Sequence, residues 1–172
     1  MDDCASVPPP AGASLLQGRF AGREAFQQGI RNALHVAAVE GWREIVVSDP
    51  GFEDWPLGER SVCADLQAWA RPGRSFVMLA CRYDEVVRRH ARFVTWRTTW
   101  SHLVDARACR AADAQELPSA MIGPGWAMRR LDTVHSAGVA GHEPDRRVHI
   151  RESVAEWLRQ SAPAFPSSVL GL

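Results

Sequence analysis

The stretch Glu44-Ile45-Val46-Val47-Ser48-Asp49-Pro50-Gly51 decides how the chain around it is read. Its β-branched run is too short for a helix and is closed by a Pro-Gly turn, as a buried strand would be. On its N-terminal side, Phe26, Ile30, Ala33, Leu34 and Ala37 recur at helical spacing between Arg23 and Glu40, and Gly41 stands where a helix stop is expected. On its C-terminal side, Leu57 to Ala70 repeats Val62, Leu66 and Trp69 on one face and stops at Arg71-Pro72-Gly73. Ser75-Phe76-Val77-Met78-Leu79-Ala80-Cys81 then reads as a second buried strand. Tyr83 to His102, with Val86, Val87, Phe93, Trp96 and Trp100 as its apolar set, predicts one helix or two in succession, and Leu103 to Cys109 resumes an extended pattern. The alternation predicts an α/β layered domain: a central mixed, mostly parallel sheet with at least three parallel strands and helices on both faces.

After Gln115 the pattern changes. Ala120-Met121-Ile122, the turn Gly123-Pro124-Gly125 and Trp126 to Leu131 predict a hairpin, followed by short strands near residues 136–140 and 147–150. A last helix is expected from about Arg151 to Gln160, ended by Pro163 and Pro166 before the apolar tail Val169-Leu170-Gly171-Leu172. At the other end, residues 1–18 carry Pro8, Pro9, Pro10, Gly12 and Ser14 without periodicity and read as a flexible arm, with Leu15, Leu16 and Phe20 able to dock where it joins the body. Residues 19–172 then form a single α/β domain, with Trp69, Trp96 and Trp157 as expected core anchors.

Composition narrows the chemistry. The chain's 172 residues amount to one domain of ordinary size, and 46% hydrophobic with 23% charged residues places it among folded soluble domains. All 20 residues of the Lys+Arg total are arginine. Without lysine there is no P-loop lysine, Schiff base or Ser-Lys dyad. The net charge of zero gives no global field for nucleic acid or an anionic membrane. None of Cys4, Cys63, Cys81 and Cys109 falls in a C-x-x-C pair, so they are read as reduced, mostly buried thiols. The acidic N-terminus lacks the features of a signal peptide, and no run of about 18 apolar residues occurs, so the expected setting is cytoplasmic and away from the membrane.

Three groups of residues are candidates for chemistry. The loop carrying Asp49, Glu53 and Asp54 leaves the first strand at the edge where α/β sheets collect ligands, and three carboxylates there suit a divalent metal or acid-base work. Against that stands a plain turn packed down by Phe52 and Trp55. The segment from Arg82 to Arg97 carries a net charge of +3, with Arg88, Arg89 and Arg92 as an anion-binding face, opposed by a net −5 over residues 40–65. A solvated helix face explains the same arginines. His135, His142 and His149 fall seven apart, which is not a metal signature, and Ser48 lacks the G-x-S-x-G elbow. No metal or other cofactor is expected.

The helix-strand order, the hairpin at Ala120 to Leu131, the run Arg147-Val148-His149-Ile150, the helix through Trp157 and the Pro/Ser-rich tail from Ser161 together resemble a phospholipase D-like domain, and more narrowly uncharacterised proteobacterial members of that superfamily. The likeness spans about residues 22–172 and rests on layout. That superfamily's chemistry uses H-x-K-x-x-x-x-D, a His nucleophile, a phosphate-holding Lys and an orienting Asp. At the corresponding places stand Pro118, Ala120 and Gly125, so the resemblance implies a catalytically degenerate member. Active relatives pair two such units, which implies a homodimer here. The expected function is a non-catalytic binding or protein-interaction module whose protein partner the sequence does not name. The alternatives are a metal-dependent phosphodiesterase or nuclease-like enzyme with a rearranged site at Asp49, Glu53, Asp54 and a histidine, and a nucleic-acid binder using the Arg-rich helix from Arg82 to Arg97.

Overall fold

The computed structural model describes residues 13–166. Its elements run β1 (Gly18–Phe20), α1 (Arg23–Glu40), β2 (Glu44–Ser48), α2 (Arg60–Trp69), β3 (Ser75–Ala80), α3 (Asp84–Arg89), α4 (Ala91–Thr99), β4 (Val104–Ala108), β5 (Ser119–Ile122), β6 (Ala127–Asp132), β7 (Ala137–Gly141), α5 (Pro144–Gln160) and β8 (Ala162–Pro163). α1 has the predicted bounds because its apolar stripe ends at Ala37 and Gly41, at φ +70°, closes the last turn in a left-handed conformation that other residues resist. The segment from Tyr83 to His102 is two helices, broken at His90.

All eight strands form one mixed sheet in the order β1-β7-β6-β5-β2-β3-β4-β8. β2 pairs with β3, and β3 with β4, in parallel. The pairings β1–β7, β7–β6, β6–β5, β5–β2 and β4–β8 are antiparallel. The sheet is therefore mostly antiparallel, correcting the expectation of a mostly parallel one. Strand-helix alternation accounts for the three parallel strands, whereas hairpins and two edge pieces of three and two residues supply the rest. Short edges leave little unpaired backbone for strangers to extend.

Alternation along the strands divides the core into two layers. Ile45, Val47, Phe76, Met78, Val104 and Ala106 face α1 to α4, and the fully buried Trp55, Trp69 and Trp126 fill that layer. Val46, Leu79, Ala120 and Ile122 face the opposite way, against Ile150 and Val154 of α5. Helices thus cover both faces, as expected. α5 starts at Pro144, so the expected strand at residues 147–150 is helical. Pro at the first turn followed by Asp145 is a helix start, and Ile150 and Val154 repeat at helical spacing. Trp69 and Trp96 are buried, but Trp157 is only half-buried against the α5 layer, which corrects its reading as an anchor. Leu15 and Leu16 pack on the core, and Trp126 donates its indole N–H to the Leu16 carbonyl at 2.9 Å, so this part of the 1–18 segment is docked. The rest of the arm reading, on residues 1–12, and the tail at 167–172 lie outside the described residues.

Candidate functional site

β2 carries Asp49 to its carboxyl end on the face shared with Ile45 and Val47. β6 carries Arg130 to the same face, two residues after the buried Met128. The Arg130 side chain is 3% exposed and is bonded at every nitrogen. Nη2 donates to Asp49 Oδ1 at 3.0 Å, Nη1 to Asp54 Oδ2 at 3.0 Å and to Ser136 Oγ at 3.2 Å, and Nε to Ser119 Oγ at 3.2 Å. Its guanidinium also lies 4.3 Å from the Phe26 ring centroid. The second Asp49 oxygen accepts the backbone N–H of Gly51 at 3.1 Å and of Phe52 at 2.7 Å, while Asp54 also accepts from Arg23. Burial acts to raise the Asp54 pKa, but the bonds from Arg23 and Arg130 outweigh it and hold the carboxyl below its ordinary value.

Phe52, fully buried, sits at φ +58°, and Ser136 at φ +50°. Such left-handed non-glycine residues cost on the order of 1–3 kcal/mol each and persist only where their surroundings fix them. Asp49 holds the Phe52 N–H, and buried His90 donates from Nε2 to the Phe52 carbonyl at 2.8 Å. Arg130 holds Ser136 by its hydroxyl. The acidic loop is a buried, internally bonded corner.

Its three carboxylates do not converge. Asp49 and Asp54 turn toward Arg130, whereas Glu53, 55% exposed, points outward to Arg89 at 3.1 Å. Ser48 is tied down as a donor to the Pro118 carbonyl at 2.7 Å. The histidines stay apart: His135 pairs with Asp132, His142 bonds the Gly125 carbonyl, and His149 lies exposed on α5. Among the described residues no group of three or more His, Cys, Asp or Glu side chains is placed to hold a metal ion.

The Arg-rich face is also altered by its neighbours. Arg88 and Arg89 both bond Glu85, and Arg92 reaches the Gly58 carbonyl at 3.1 Å, so much of their charge is answered locally. Just beside it, where β3 and β4 end, an open cleft of about 760 Å³ is rimmed by Arg82, Arg88 and Arg110 and floored by Tyr83, Ala108 and Phe165. Tyr83 and Phe165 stack at 4.9 Å with their rings 9° from parallel. Among the described residues Arg82 and Arg110 have no ion-pair partner, while Asp84 is the carboxylate on this rim. Sequence reading missed both Arg130 and the place of Arg110 on the cleft rim. Arg130 had a usable signal, since strict alternation from Met128 places it inward on a strand.

The fold and these sites define an α/β domain with a buried, ion-paired acidic corner and an arginine-rimmed cleft at the sheet's carboxyl edge. No protein-family model matches the chain, and no curated protein matches it. Among solved structures the chain is similar to TrmBL2, an archaeal chromatin protein whose structure is described as showing a novel mode of DNA binding. The identity is 13% and the TM-score 0.60, over 85% of this chain and 53% of that one. The likeness is one of fold, and this chain spans about half the length of its neighbour.

Proposed function

We propose that this chain is a non-catalytic, phospholipase D-like binding module that takes a phosphate-bearing or similar anion in the cleft between Arg82, Arg88 and Arg110, and that it works as a cytoplasmic homodimer. The observation that carries this reading is the contrast at the carboxyl edge of the sheet. The carboxylates best placed for metal or acid-base chemistry are consumed by Arg130, while the neighbouring arginines face an open cleft. Arginine presents a planar fork of donors suited to phosphate oxygens, and here it is the only such cation available. Incubated with Mg²⁺ or Mn²⁺ and a chromogenic phosphodiester, the protein releases product no faster than buffer, and inorganic pyrophosphate raises its unfolding temperature. Metal-dependent turnover abolished by Asp54→Asn overturns the reading in favour of the rearranged enzyme. Sedimentation at micromolar concentration checks the dimer, and a monomer throughout removes that part.

A second reading, nucleic-acid binding through Arg88, Arg89 and Arg92, is favoured by the structural likeness to a DNA-binding chromatin protein. It expects affinity for duplex DNA that falls steeply with salt and weakens alike for all sequences in the double variant Arg88→Ala, Arg92→Ala. Fluorescence anisotropy measures it, and binding unchanged in the double variant excludes this face.

A further inference from the structure

Ala80 and Ala108 are the last paired residues of the parallel strands β3 and β4, and the next residue on each strand is a cysteine. The ladder continues across them, with the Cys109 N–H donating to the Ala80 carbonyl at 2.9 Å. Cys81 and Cys109 are both reduced and buried, and alternation places both on the α5 face, in one apolar cluster with Leu79, Leu117 and Val154. Neighbouring strands run about 4.8 Å apart, inside the Cα separation a disulfide spans. Each cysteine is also a lining residue of open space: Cys81 of the arginine-rimmed cleft, and Cys109 of a second cleft of about 520 Å³ with Arg110, Glu116 and Trp157.

We infer that Cys81 and Cys109 form a reversible cross-strand disulfide and are an oxidative modification site, the oxidant being a small-molecule disulfide of the glutathione class. The thiolate of one cysteine attacks the sulfur–sulfur bond of the oxidant and expels one thiolate, leaving a mixed disulfide on the protein. The second cysteine, as its thiolate, attacks the protein sulfur of that mixed disulfide and expels the other. Two protein thiols are oxidised, one disulfide is reduced to two thiols, and both protons leave with the products. Burial pushes both thiols above the ordinary cysteine value; at Cys81 the neighbouring Cys109, Asp49 and Asp113 add to the rise and Arg82 opposes it, while at Cys109 Arg107 opposes it.

The disulfide removes two donors. The Cys109 thiol donates to the Trp157 carbonyl at 3.2 Å and the Cys81 thiol to the Ala112 carbonyl at 3.7 Å. Oxidation therefore loosens the last turns of α5 and the loop after β4, next to both clefts.

The test equilibrates the full chain in glutathione buffers of graded potential, then quenches and measures intact mass and linked peptides. The expected product has lost the mass of two hydrogens and links the Cys81 and Cys109 peptides. Its ratio to the dithiol form rises tenfold for each ~30 mV, the signature of a two-electron couple. Cys81→Ser or Cys109→Ser leaves a glutathione adduct in place of the link, while the double variant Cys4→Ser, Cys63→Ser forms the link as before. Both thiols alkylated at every potential, or a link that runs through Cys4 or Cys63, overturns the inference. Circular dichroism of the variants separates chemistry from misfolding.

Discussion

Two neighbouring regions at the carboxyl edge of the sheet are built from the same kinds of charged residue and differ in physical character. At the Asp49–Arg130 corner the charges are buried, matched and hydrogen-bonded, and they hold two strained residues in place. At the Arg82–Arg110 cleft the charges are solvated, and among the described residues those two arginines have no carboxylate partner. A buried pair has already exchanged its water for a fixed partner and has nothing left to offer a ligand. An exposed cation over an apolar floor keeps both its charge and its donors available. On the proposed function, the corner is scaffold and the cleft is the site.

The sharpest way to break this comparison is to remove Arg130. Arg130→Ala leaves Asp49 as an uncompensated buried charge and is expected to cost ~3–5 kcal/mol in urea unfolding. A loss below about 1 kcal/mol means the corner is not scaffold. The tryptophans calibrate that figure: Trp69→Ala is expected to cost ~3–5 kcal/mol, and the half-buried Trp157→Ala ~1–2 kcal/mol, by the same measurement. Equal losses contradict the burial difference.

Asp54 sharpens the comparison through pH. Its carboxyl titrates below the ordinary 3.8 in the folded protein, so its contribution is complete above the unfolded value and is lost as pH falls through the folded one. Asp54→Asn is expected to cost ~1–2 kcal/mol at pH 7, and the gap from wild type closes below about pH 4. A gap independent of pH contradicts the ionic role. The smallest effect is expected at the cleft. The double variant Arg82→Ala, Arg110→Ala changes stability by less than about 0.5 kcal/mol yet loses the rise in unfolding temperature caused by pyrophosphate.

The elements legible in the sequence were those whose residues carry their own period. α1 and the strands β2, β3 and β4 were readable because Phe26 to Ala37 and Ile45 to Val47 need no distant partner to show their pattern. The edge pieces Gly18–Phe20 and Ala162–Pro163 are too short to carry any period and exist through pairing with β7 and β4. The start of α5 was missed because Arg147 to Ile150 alternates over four residues, a span in which strand and helix patterns coincide. Asp49, Glu53 and Asp54 were visible as a cluster, but their roles were not. The partner that separates Asp49 from Glu53 is Arg130, 81 residues away in sequence. Likewise Arg89 reads as part of a cationic face only while Glu53, on another loop, is out of view.

Calorimetric titration of inorganic pyrophosphate into the wild-type protein and into the double variant Arg82→Ala, Arg110→Ala tests the central claim most directly. The account predicts saturable one-to-one binding in the wild type and none in the variant. No heat in the wild type, or the same isotherm in both, contradicts it.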